Sequence, residues 1–282
     1  MADGVKVALF GLHRGSSVDA ETIVRRARLA EEAGFEALWV GDHVALPRAG
    51  SDPAEQPRLE ALVALTYLAA VTTRVRLGVG VIVLPQRQPV LLAKQLASID
   101  VLSKGRLTVG IGVGYVEAEL RALGASLADR AARADEHLAA MRCLWSEPVR
   151  AFAGNFVSFA DIMERPLPVQ RPHPPIVIGG HSPAAHRRAV LSGNGWYGWQ
   201  LGLEQTATAL AALSEAARRH GRPAELGELE ITITPPGTVD RDTALRYAEL
   251  GVHRLAVQPE TMEGTAIDEL ITTVGETLIA RL

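Results

Sequence analysis

The sequence predicts an α/β fold, a (β/α)8 TIM barrel with an insertion near residues 147–174, on three observations. Short β-branched runs alternate with longer helical patterns along the chain. The count reaches eight strands, each followed by a helix, which implies a parallel sheet that eight units close into a barrel. The 282 residues and 48% apolar content suit one domain over 1–282, since such barrels run to roughly 250 residues.

The elements follow in order. Val5–Leu9 is the first strand, and Ala20–Ala33 follows as a helix with Asp19 as N-cap and Gly34 as its stop. Ala37–Gly41 is the second strand. A polar loop carrying Pro47, Pro53 and Pro57 leads to a helix over Leu59–Val71. Val75–Leu84, the third strand, is apolar on both faces, as a parallel strand covered on both sides must be. Helix Val90–Leu102, strand Arg106–Gly112 and a long helical region over Glu117–Trp145 come next. The insertion then breaks the rhythm. Val149–Phe159 carries Gly154-Asn155, a hairpin turn between short strands, and prolines recur from Pro166 to Pro175. The alternation resumes with strands at Ile176–Ile178, Gly195–Trp199, Leu229–Thr234 and His253–Val257. Their helices are Pro183–Ser192, Glu204–His220, Arg241–Leu250 and Ala266–Arg281.

Composition narrows the function. A net charge of −3 offers no electrostatic reason to expect nucleic acid or an anionic membrane. No window approaches the ~18 unbroken apolar residues of a membrane span, and Met1-Ala2-Asp3-Gly4 lacks the basic start of a secretory signal. A cytoplasmic protein is expected. The single cysteine, Cys143, allows no disulfide framework and no thiolate metal site; within Leu138–Trp145 it reads as a buried packing residue.

In such barrels the active site lies at the C-terminal ends of the strands. Asp42-His43 ends the second strand, where an acid beside an imidazole can move protons or bond a ring cofactor; the plain reading is a turn cap and a surface histidine. Gly78-Val79-Gly80-Val81 lies inside the third strand, where glycine marks a bulge, a close backbone approach or a barrel corner. Gly110-Ile111-Gly112-Val113-Gly114-Tyr115 ends the fourth. It is no dinucleotide fingerprint, because Tyr115 stands three residues after Gly112 and Glu117 three after Gly114, but it lets a ligand approach the loop. Gly179-Gly180-His181-Ser182-Pro183 opens a helix whose N-terminus can bind phosphate; Ser182 reads also as a plain N-cap, and the two readings are compatible. Trp199, beyond Trp196 and Tyr197, reads as core or as a pocket wall. A Schiff-base aldolase is excluded, since Lys6, Lys94 and Lys104 all miss the strand ends. No metal is expected, since His13 has no His-x-His partner and only Asp42 and Glu117 stand near strand ends as carboxylates.

The run from Ala30-Glu31-Glu32-Ala33-Gly34-Phe35 to Trp39-Val40-Gly41-Asp42-His43 resembles the signature segment of the luciferase-like flavin- and F420-dependent oxidoreductases. Four further segments agree in family order: Thr73–Gly78, Leu92–Gln95 through Ser103–Arg106, Gly110–Tyr115 and Pro174–Gly180. They cover about residues 5–200, and the tail from 201 matches only as pattern. The resemblance implies a flat ring stacked on a strand-three bulge, with a non-prolyl cis bond at Gly80–Val81. It implies a phosphate at Gly179, Gly180, His181 and Ser182, and ring contacts from Asp42, His43, Gly112, Gly114 and Tyr115. It also implies that His43 is the proton donor or acceptor, with Asp42 holding a cofactor hydroxyl or orienting the imidazole.

The segment Trp39–His43 and the short Gly-Val-Gly-Tyr loop are more similar to the F420 branch, with FMN as the alternative cofactor. The leading expectation is therefore F420-dependent hydride transfer to or from a small-molecule substrate. The alternatives are an FMN-dependent monooxygenase supplied by a reductase partner, and a non-catalytic flavin-binding barrel. A homodimer is typical of the family. The proline-rich stretch Pro47–Pro57 departs from relatives and borders the substrate, so no substrate is carried over.

Overall fold

The computed structural model describes residues 4–50, 53–146 and 151–281. The chain runs β1 (Lys6–Phe10), α1 (Ala20–Glu32), β2 (Ala37–Val40), α2 (Ala61–Val71), β3 (Arg76–Val79), β4 (Ile82–Val83) and α3 (Pro89–Leu102). It continues β5 (Leu107–Gly112), α4 (Glu117–Ala122), α5 (Arg130–Trp145), β6 (Phe152–Ala153), β7 (Ser158–Phe159), β8 (Ile176–Gly179) and α6 (Pro183–Ser192). It ends β9 (Gly195–Trp199), α7 (Leu203–His220), β10 (Glu230–Thr234), α8 (Arg241–Glu249), β11 (Arg254–Val257) and α9 (Ala266–Thr277).

Parallel pairing passes from β1 through β2, β3, β5, β8, β9, β10 and β11 and returns to β1, where Leu9 stands opposite Val257. The barrel is therefore closed, with β3 and β4 as two halves of its third strand. Alternation along each strand separates two packing layers. One set, including Leu9, Leu38, Leu77, Val109 and Ile233, packs in the large cluster shared with the helices. The other fills the interior: Ala8, Phe10, Ala37, Trp39, Val177, Tyr197 and Ala256. Trp39 stacks on Tyr197 with centroids 5.3 Å apart, and a Cβ on Gly78 would lie 2.5 Å from the Trp39 indole. Small residues on neighbouring strands thus make room for two large rings. Arg26 of α1, almost fully buried, joins Asp268 of α9 at 2.8 Å and ties the first helix to the last.

Two expectations need correction. The helical region Glu117–Trp145 is two helices, because Gly124 at φ +76 ends α4 and residues 123–129 turn before α5 begins. Cys143 is only half-buried on α5. The interruption of the third strand at Gly80–Val81 falls where a bulge was expected. The hairpin is present as antiparallel β6–β7, and the backbone N–H groups of Asn155, Phe156 and Val157 donate to Glu136 of α5 at 2.6–2.8 Å. Val149, its expected start, lies outside the described residues. Among the described residues no helix is long and apolar enough to cross a membrane.

Candidate active site

The C-terminal mouth of the barrel opens into a cavity of about 450 Å³. Its floor is Gly80, Val81, Gly112 and Gly179; one rim carries Asp42, His43, Gly114 and Tyr115, and the other Gly180 and His181. Of the site residues that the resemblance implies, all but Ser182 line this one cavity, because each lies at or just beyond the C-terminal end of a barrel strand.

The floor is built by steric fit. The Gly80–Val81 peptide is cis, as the resemblance implies. The Val81 side chain enters a slot between β5 and β8. A Cβ on Gly112 would lie 2.5 Å from Val81 Cγ2, and one on Gly179 would lie 2.7 Å from Val81 Cγ1. The missing side chain of Gly112 thus makes room for Val81, while its main chain still lines the cavity. Pressing that side chain down leaves a floor made mostly of main chain.

His43 is held by a residue the sequence did not single out. Its Nδ1 lies 3.0 Å from Glu119 Oε2, and Glu119 Oε1 accepts from Val44 N at 2.6 Å and Ala45 N at 3.0 Å. Glu119 is 1% exposed. Burial pushes its carboxyl pKa up, but the bonds from His43 and from the Ala45 and Val44 amides outweigh this and hold it below the usual range. The carboxylate is ionised and can only accept, so Nδ1 carries the proton and Nε2 is the working nitrogen. Nε2 stands 3.5 Å from the Tyr115 hydroxyl, and the two rings meet edge to face.

Asp42 does not orient the His43 imidazole. Its Oδ2 accepts from Val83 N at 3.0 Å and Arg87 Nε at 3.2 Å, and its Oδ1 accepts from Arg87 Nη2. Arg87 also reaches Glu60 at 2.7 Å. Asp42 thus locks the chain just after the bulge, and the imidazole is oriented by Glu119 instead. The reason is geometric: the Asp42 carboxylate is nearly buried beneath the rim, where β4 supplies donors.

At the opposite rim Ser182 is the N-cap of α6, accepting from Ala185 N at 3.2 Å, with Pro183 at the first helical position. Gly180 adopts φ +118, which turns the chain into the helix. His181 Nε2 accepts from Trp199 N at 3.1 Å, and burial lowers its pKa, consistent with a neutral ring. Trp196 is core, whereas Trp199 is partly exposed and packs 5.0 Å from Phe10 as a cavity wall. His13, Arg14 and Arg58 complete the wall near β1. His13 is pushed down to about 3, first by burial and then by Arg14, Arg58 and His43, so it is neutral. No sequence motif marks Arg58, which sits in a proline-rich loop.

With this geometry in hand, comparison with known proteins gives a consistent result. The profile of a family described as luciferase-like monooxygenase matches residues 6–269. An uncharacterized protein of Mycobacterium tuberculosis is 32% identical over 258 residues, covering 86% of this chain and 89% of that protein. The FMNH(2)-dependent dimethylsulfone monooxygenase of Pseudomonas putida is 30% identical over 189 residues, covering 66% of this chain and 50% of its own. Among solved structures, an F420-dependent secondary alcohol dehydrogenase superposes with a TM-score of 0.81 at 16% identity, over 99% of both chains. At that identity the likeness is one of fold.

Proposed function

The chain belongs to the luciferase-like monooxygenase family, and we propose that within it the protein is an F420-dependent oxidoreductase acting on a small organic substrate. The observation that carries this reading is the His43–Glu119 pair at the rim of a cavity floored by main chain. The residues present fit a flat ring cofactor: no charged side chain stands in the floor, and the polar groups are gathered at the rim.

When bound, F420 supplies or accepts a hydride at a ring carbon. The residues of the chain supply what surrounds that step. Val81 and Gly80 would support the ring face, and Gly112, Gly114 and Tyr115 would flank it. The turn at Gly179, Gly180 and His181, with the start of α6 capped by Ser182 behind it, would hold the phosphate. His43 Nε2 gives or takes the proton that accompanies reduction or oxidation of the substrate. Glu119 keeps Nδ1–H in place. Phe10 and Trp199 would form the apolar wall beside the substrate.

A second reading is favoured by the relative that uses reduced FMN. In that case the same cavity takes FMN, and a reductase partner supplies it in reduced form. Side-by-side titration of the purified protein with F420 and FMN tests the choice. Saturable F420 binding, with FMN at least about tenfold weaker, is expected. Tight FMN binding without F420 affinity overturns it.

A further inference from the structure

We infer that the substrate carries an anionic group, a carboxylate, seated against Arg58 on the β1–β2 side of the cavity. This rests on the reading of the cavity as an oxidoreductase site and names the class of molecule the site takes.

Arg58 is placed there by main chain. An antiparallel bridge sets Arg14 opposite Arg58. Leu59 N donates to His13 O at 2.7 Å, and Gly15 N donates to Pro57 O at 2.9 Å. The loops after β1 and β2 are thereby joined, and both arginines line the cavity. The Arg58 guanidinium is aimed by its own loop, with Nη1 donating to Pro53 O at 2.8 Å and Gln56 O at 3.3 Å. Its Nη2 is buried with no hydrogen-bond partner. A buried donor on a charged group that lacks an acceptor is costly, and the guanidinium relieves that cost by turning toward a ligand oxygen in the cavity that Arg58 lines.

No carboxylate of the site is available to do so. Asp42 is bonded to Arg87 and the Val83 amide, and Glu119 to His43 and two amides. Among the described residues Arg58 forms no salt bridge. Arg14 and Arg58 are both near enough to act on buried His13, which stays neutral under their field. The wall beside them is aromatic: Arg14 Cζ lies 5.6 Å from the centroid of the Phe10 ring, and Phe10 packs on Trp199. A planar guanidinium next to an apolar wall recognises an anionic head on an apolar body.

Benzoate and benzamide test this, being alike in shape and different in charge. Binding to the purified full-length chain can be followed by tryptophan fluorescence, since Trp199 lies in the cavity wall. Benzoate is expected to bind at least about tenfold more tightly than benzamide, and more weakly as salt rises. Arg58→Gln should abolish the preference, and Arg58→Lys, which keeps the charge, should retain most of it. Equal binding of the two probes, binding of neither, an unchanged preference in Arg58→Gln, or its loss in both variants would overturn the inference. Neither probe needs a cofactor. A preference for benzoate in a protein that fails to bind F420 would sink the deazaflavin reading and leave this one standing.

Discussion

Glu119 Oε2 lies 3.0 Å from His43 Nδ1, and Glu119 Oε1 receives the Val44 and Ala45 amides, so one buried carboxylate fixes both the imidazole and the chain that carries it. The pair joins the end of β2 to α4 across the cavity rim. Its consequence is directional: a ring held at Nδ1 presents Nε2.

Glu119→Gln keeps the shape and removes the charge. Turnover should fall about 100-fold, while the affinity for cofactor changes by less than about threefold. Glu119→Asp should recover part of the loss. Steady-state kinetics beside a binding titration check this. Equal losses in binding and turnover would assign Glu119 a merely structural place.

Gly112 and Val81 make a second coupled pair. Gly112→Ala places a Cβ 2.5 Å from Val81 Cγ2 and should destabilise the fold by about 1–3 kcal/mol in urea unfolding. Val81→Ala in the same chain removes the opposing atom and should restore part of that loss. Gly110→Ala is the control, because its Cβ would lie 1.9 Å from the Val79 carbonyl oxygen, which Val81→Ala does not move. A double variant as unstable as Gly112→Ala alone would show that the slot is not shaped by Val81.

Glu164, in the insertion, is 7% exposed, and neither carboxylate oxygen has a hydrogen-bond partner. Burial pushes its pKa up from 4.5 to about 7, opposed in part by Lys94 and by the nearby Trp145 indole N–H, which donates to Ala93 O instead. A carboxyl with a raised folded pKa contributes its full stability below the unfolded value and loses it as the pH rises through the folded one. From pH 4.5 to above 7, the wild type should therefore lose up to about 3 kcal/mol that Glu164→Gln keeps. Urea unfolding across that range reads the difference, and parallel profiles for the two proteins would refute it.

Much of this was legible without coordinates. The eight strands were readable because each is a short apolar run bounded by turn residues, and their ends pointed to Asp42, His43, Gly112 and Gly179. Glu119 was not readable. A six-residue helix is too short for periodicity to choose a face, and Glu117 and Glu119 look alike until one side chain is 62% exposed and the other 1%. The glycines announced empty space without saying whether a ligand or Val81 fills it.

By itself the sequence determined the order of strands and helices, and hence which residues reach the mouth of the barrel, because local apolar periodicity encodes both. Only the tertiary structure decided the partnerships: Glu119 with His43, 76 positions apart, Asp42 with Arg87, and Val81 with the glycines of β5 and β8. Such contacts depend on the closure and stagger of the whole sheet, which no single stretch of chain contains.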